Sequence, residues 1–130
     1  EICAEFAYFQ ELLQNSEILI VCVSLTDETR GLFNTEAFKK NEASAIFINT
    51  SRGAVVSQDD LYTALTTGQI RAARLDVTIP EPLTRDSPLL SLSELHMVCT
   101  SDITRDAMAE QTAQNIMTGL KGEKMPAPVC

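Results

Sequence analysis

The 130-residue sequence has no tryptophan, a single histidine and five glycines. Long apolar runs are missing as well. Stretches such as 18-ILIVCVSL-25 fall far short of a bilayer's thickness, which excludes a membrane-crossing helix. Positive charge is scarce: ten Lys and Arg stand against eighteen Asp and Glu, for a net charge of -8. Such a balance argues against nucleic acid as a partner and against anionic membrane surfaces. A small organic anion stays open, because one local arginine can override the average field. The cysteines Cys3, Cys22, Cys99 and Cys130 form no C-x2-C pair, so neither a zinc site nor a disulfide framework is indicated. Cys22 and Cys99 lie in apolar runs and read as small buried thiols of a protein kept in the reducing cytoplasm. No charged n-region leads into an apolar h-region, so no signal peptide is expected. A start at Glu1 instead of methionine leads us to expect that an upstream part is missing.

What is present is an ordinary globular composition, 45% hydrophobic and 22% charged, in one domain's worth of chain or a piece of a larger one. Residues 18-ILIVCVSL-25, 45-AIFINT-50, 71-RAARLDV-77 and 95-LHMVCT-100 are continuous apolar runs, the pattern of strands buried on both faces. Helical spacing appears between them. Residues 6–14 carry apolar positions at that spacing, and 34–41 open on the capping residue Asn34. Residues 58–68 have Ser57 as cap, Asp59 and Asp60 in the first turn and Gly68 as terminator. The last helix, 102–122, aligns Ile103, Met108, Thr112, Ile116 and Leu120 and is stopped by Gly122 and Pro126. Alternating strands and helices imply parallel βαβ units with right-handed crossovers, an α/β fold, with the proline-rich 79–90 as a loop.

In an open parallel sheet, ligands bind beyond the carboxyl ends of the strands. Three such ends are polar here: Ser24-Leu25-Thr26, Asn49-Thr50-Ser51-Arg52-Gly53, and Asp76-Val77-Thr78 followed by Glu81. Arg52 offers a planar fork of donors suited to a carboxylate, and Gly53 a turn without a side chain to obstruct a ligand. Each residue also has a plain structural reading. Arg52 can be one half of an ion pair, with Asp76 as its partner or as the partner of Arg74, and Glu81 a solvated loop residue. Ser24 can cap a turn, and His96, within an apolar strand, can be a packed residue.

Taken together, INTSRGAVVSQDDLYTAL, GQIRAARLDVTIPEPL and SPLLSL resemble the NAD(P)-binding domain of the D-isomer-specific 2-hydroxyacid dehydrogenases. LDVTIPEPL and NIMTGLKGEKMP are most similar to the branch that reduces glyoxylate and hydroxypyruvate, and the likeness runs from about Ala4 to Pro126. The resemblance implies a Rossmann-type parallel sheet with flanking helices. Residues 1–130 are then the C-terminal part of the NAD(P)-binding domain, without its G-x-G-x-x-G first half and without the substrate domain. It implies hydride transfer between NADP or NAD and the C2 carbonyl of a small 2-keto acid, in a protein that is a homodimer at full length. Arg52 matches the arginine that holds the keto acid, and Glu81 the glutamate that pairs with the catalytic histidine. Asp76 matches an aspartate near nicotinamide and substrate, and Ser24, Thr50 and Ser51, with Arg52, match cofactor-contacting positions.

The sequence departs from that pattern in three places. No G-x-G-x-x-G turn occurs in it. Where the family has a P-H-I-G-S-A-type loop, this chain reads 97-MVCTSDITRDAM-108, with Cys99 and Thr100 in place of Pro-His and about four residues fewer. His96 falls four positions too early and is not assigned the catalytic role. Arg74 replaces the glycine of AAGLDV, where it needs room or a partner. The expectation is a family-level reductase whose present chain is inactive by itself. The other reading is a non-catalytic nicotinamide-binding or interaction module, like the corepressors that share the fold. A half-sheet is also expected to expose an apolar edge and to be poorly soluble.

Overall fold

A computed structural model describes residues 4–97 and 102–128 and falls into two compact units, Glu1–Val98 and Cys99–Cys130. The first unit holds a four-stranded sheet, β1 (Ile18–Val21), β2 (Ile46–Asn49), β3 (Ala72–Leu75) and β4 (Leu95–Met97). The strands lie in sequence order and every pairing is parallel. Helices α1 (Phe9–Asn15), α2 (Thr35–Phe38) and α3 (Gln58–Thr66) belong to the same unit. The strands are shorter than their apolar runs, because the chain leaves the ladder at Cys22, Thr50 and Asp76 to form the polar ends.

Only one face of this sheet is buried. Leu19, Val21, Phe47, Asn49, Ala73, Leu75 and Leu95 point into the core, where Leu13 of α1, Phe38 of α2 and Leu61 and Leu65 of α3 meet them. Phe47 sits at its centre, edge-on to Phe33 and Phe38 at centroid distances of 5.1 and 5.3 Å. On the opposite face Ile18 and Ile20 are 57% and 58% exposed. The reading of doubly buried strands is therefore corrected for this unit: all three helices contribute to one core, on one side. Two further expectations change with it. His96 is exposed, on the open face, on the rung shared by Ile20, Ile48 and Arg74. Cys22 is an exposed free thiol, because β1 has already ended; Cys99 lies outside the described residues.

Helix boundaries follow local chemistry. The Asn34 side chain accepts from the amides of Glu36 and Ala37, as a capping residue should. Helix α1 begins at Phe9, three residues later than the apolar spacing suggests, where Glu11 reaches back to the Tyr8 amide at 3.1 Å. Ser57 precedes α3 without making a side-chain cap bond. Its amide is already committed to the Phe33 carbonyl at 3.0 Å. Gly68 ends α3 with φ +71°, a conformation that other residues rarely adopt. The loop after β3 contains a short 3-10 turn, Pro88–Ser91. In the second unit α4 (Asp102–Leu120) gives way at Gly122, φ +73°. Its Asn115 carboxamide then closes on both polar groups of Ala127, donating to the carbonyl at 2.7 Å and accepting from the amide at 3.0 Å. No helix among the described residues is long and apolar enough to cross a membrane.

Helices α2 and α3 are joined by the Thr35 hydroxyl donating to Asp60 at 2.7 Å. That bond, with a further one from Ser57, holds the Asp60 carboxyl below its ordinary value. A depressed carboxylate contributes stability that is present above the unfolded-state value and lost as pH falls through the folded one. Thr35→Val is expected to cost about 0.5–1 kcal/mol at neutral pH, a penalty that shrinks below about pH 4. Urea titrations of both proteins across that range check it. The open sheet face yields the second expectation: the double variant Ile18→Lys/Ile20→Lys stays monodisperse at concentrations where the parent scatters light.

Candidate functional site

The last residue of β2 organises the polar strand end. Asn49 is completely buried, and its carboxamide is used from both sides. The Oδ1 atom accepts from the Ser51 amide at 3.0 Å and the Ser51 hydroxyl at 2.8 Å, while Nδ2 donates to the Arg52 carbonyl at 3.1 Å. A buried amide in an apolar core is costly unless bonded, so these bonds fix the turn that carries Thr50, Ser51 and Arg52. Next to it Thr50 donates its hydroxyl to the Val21 carbonyl at 3.3 Å and stands 3.7 Å from the Cys22 sulfur.

A cavity of about 490 Å³ opens at this point, lined by Cys22, Val23, Ser24, Leu25, Thr50, Ser51 and Arg52. It lies beyond the carboxyl ends of β1 and β2, where a parallel sheet is expected to bind its ligand. Arg52 is exposed, with Nη1 folded back on the Ser51 carbonyl at 2.7 Å, leaving its other donors for a ligand. Of the residues singled out from sequence, the structure thus gathers Ser24, Thr50, Ser51 and Arg52 around one cavity. Asp76 and Glu81 are exposed at the next strand end and outside this lining. Among the described residues the one ion pair within 4.0 Å is Lys39–Glu36, so neither Arg52 nor Arg74 is paired with Asp76. Arg74 is half-buried and bonds the Ala73 carbonyl at 3.0 Å. The stretch in which Cys99 and Thr100 replace Pro-His lies outside the described residues.

Two residues with a part in this geometry were not assigned one from sequence. Asn49 is one; its signal is an asparagine closing an apolar strand ahead of small polar residues, the pattern of an Asx turn. Gln58 is the other. From the first position of α3 its side chain donates to the Ile79 carbonyl and accepts from the Ile79 amide at 2.9 Å. Gly53 has a purpose other than clearance for a ligand. A Cβ there would overlap the Thr78 carbonyl and come within 2.9 Å of the Ile79 nitrogen, so two backbones meet where no side chain fits.

Comparison with known proteins decides the family. Residues 1–100 match the model of the D-isomer specific 2-hydroxyacid dehydrogenase NAD binding domain. The chain belongs to this family. It is 47% identical over 131 aligned residues to the human glyoxylate reductase/hydroxypyruvate reductase, covering 98% of this chain and 40% of that protein. The glyoxylate/hydroxypyruvate reductase B of Escherichia coli is 42% identical, over 92% of this chain and 38% of its own length. The D-isomer specific 2-hydroxyacid dehydrogenase of Xanthobacter autotrophicus Py2, solved in complex with NADPH and MES, superposes with a TM-score of 0.68 at 35% identity. That match covers 94% of this chain and 51% of the other. The chain therefore spans about 40% of the length of the curated relatives it matches. The Rossmann-type parallel sheet with flanking helices expected from the sequence is the fold observed.

Gly53→Ala tests the backbone contact. With the carbonyl of Thr78 in the way, the loop after β3 has to move, and a cost of about 1–3 kcal/mol is expected. Chemical denaturation measures it; an unchanged midpoint would show that the contact yields freely.

Proposed function

We propose that this chain forms the C-terminal part of the cofactor-binding domain of a reductase that converts glyoxylate or hydroxypyruvate to glycolate or D-glycerate. The observation that carries this reading is the exposed Arg52 guanidinium at the rim of a hydroxyl-lined cavity beyond the carboxyl ends of two parallel strands. A guanidinium fork binds a carboxylate at two points, which suits the anionic end of a 2-keto acid. Ser24, Thr50 and Ser51 offer small polar groups suited to the amide and ribose of a nicotinamide, and we assign Asp76, at the neighbouring strand end outside the cavity lining, to the same end of the cofactor. Reduced NADP or NAD, when bound, supplies the hydride. Arg52 fixes the carboxylate, and Glu81 would orient an acid that protonates the alkoxide formed by hydride transfer, a donor that Cys99-Thr100 does not supply. At full length we expect a cytoplasmic homodimer.

The residues of this chain fit only part of a dinucleotide. None of its five glycines forms a G-x-G-x-x-G turn, whose amides hold a pyrophosphate. Cys99-Thr100 also leaves the proton-transfer position without a histidine. Loss of a general acid costs roughly 10²–10⁴ in rate, so the chain by itself is expected to turn over little or not at all. The same Cys99-Thr100 substitution favours a second reading, a module that binds nicotinamide or a partner without catalysis.

Glyoxylate titrated into the chain tests the carboxylate site by NMR. Arg52→Ala should weaken binding at least tenfold, with Arg52→Lys in between, because a lysine keeps the charge and loses the fork. Equal affinity in all three proteins would remove Arg52 from the site. NADPH oxidation in the presence of glyoxylate separates the two readings: robust turnover by the chain itself contradicts the expected inactivity.

A further inference from the structure

Glu81 follows the segment Thr78-Ile79-Pro80, and three contacts hold that segment. Thr78 is buried and donates its hydroxyl to the Pro80 carbonyl at 3.0 Å. Gly53 lies against the Thr78–Ile79 backbone so closely that no Cβ fits. Gln58 occupies both backbone polar groups of Ile79, one in each of the two peptides that flank its Cα. The last two contacts come from the same short stretch that begins at Arg52, the 3-10 turn Gly53–Val55 and the start of α3. Arg52 and the Glu81 loop are thus tied to one another through Gly53 and Gln58, although their side chains do not pair.

The two holds differ in kind. The Gly53 contact sets how near the two backbones come, but it supplies no hydrogen bond to orient them. A side-chain amide bonded to both the N–H and the C=O of one residue fixes the orientation of the two peptides on either side of it, as a neighbouring strand would. Gln58 also starts from a helix whose Leu61, Ala64 and Leu65 are in the core, so its Cα position is set by packing.

We infer that Gln58 is a positioning residue: its carboxamide aims the Ile79–Glu81 loop and so determines where the Glu81 carboxylate stands relative to Arg52. The inference rests on the reading of Glu81 as the residue that orients the proton donor. It adds a specific dependence on a residue outside the lining of the Arg52 cavity. A methionine at 58 keeps the volume and loses both bonds; a glutamate keeps the acceptor for the Ile79 amide and loses the donor.

Amide exchange, backbone relaxation and the Glu81 carboxyl resonance, recorded on the whole chain with and without glyoxylate, test it. In Gln58→Met, exchange at Ile79 should quicken on the order of tenfold. The Glu81 carboxyl shift should move to its unstructured value and residues 79–82 should gain mobility. Exchange at Phe47 and Leu61, and glyoxylate affinity, should hold. Gln58→Glu should restore protection at the Ile79 amide, and it decides by the same readouts should the methionine variant not fold. Arg52→Ala should lose glyoxylate and leave Ile79 and Glu81 unaffected, so a failure of the carboxylate site is distinct from a failure of this inference. Unchanged Ile79 and Glu81 signals in Gln58→Met overturn the inference. Equal loosening of Phe47 and Leu61 also overturns it, since Gln58 would then only support the fold.

Discussion

The site depends on one buried carboxamide. Asn49 ends β2 completely buried, where an unbonded amide would cost several kilocalories, and the turn that follows is the shape that satisfies it. Ser51 is drawn in as a partner, the Arg52 carbonyl is held, and the Arg52 side chain is left outside at the cavity rim. Position and exposure of the guanidinium are thus consequences of how the core treats its neighbour. The strand supplies a rigid base, since Asn49 is in register between Val21 and Leu75.

Two other side-chain amides also hold backbone, in a different pattern. Gln58 closes on Ile79 and Asn115 on Ala127, each pairing one side-chain amide with both polar groups of a backbone residue far along the chain. A peptide mimic of this kind satisfies loop groups that have no strand beside them. Irregular segments gain defined geometry without lengthening the sheet, and it is irregular segments that carry Glu81 and the tail after α4.

Much of the fold was legible from patterning. Four apolar runs gave four parallel strands in order, and Asn34, Gly68 and Gly122 act at helix ends as their chemistry demands. Burial was less legible. A continuous apolar run such as Ile18–Val21 signals two covered faces, yet in its own unit only Leu19 and Val21 are covered. The run cannot say what covers the other face. Cys22 and His96 differ from expectation for the same reason: apolar neighbours in sequence are not apolar neighbours in space. Around the cavity, residue type pointed to Arg52, Ser24, Thr50 and Ser51, because their chemistry is their signal, while Asp76 and Glu81 stand outside the lining. Asn49, Gln58 and the purpose of Gly53 were hidden, because each acts on a backbone brought near only by folding.

The contact at Gly53 limits how this part of the molecule can move. With two main chains pressed together at Gly53 and Thr78 and a glutamine bridging them five residues further on, the span from the end of β2 to the loop after β3 has no slack in it. A displacement of either main chain is thereby passed to the other, so the arginine and the loop that carries the glutamate are mechanically linked.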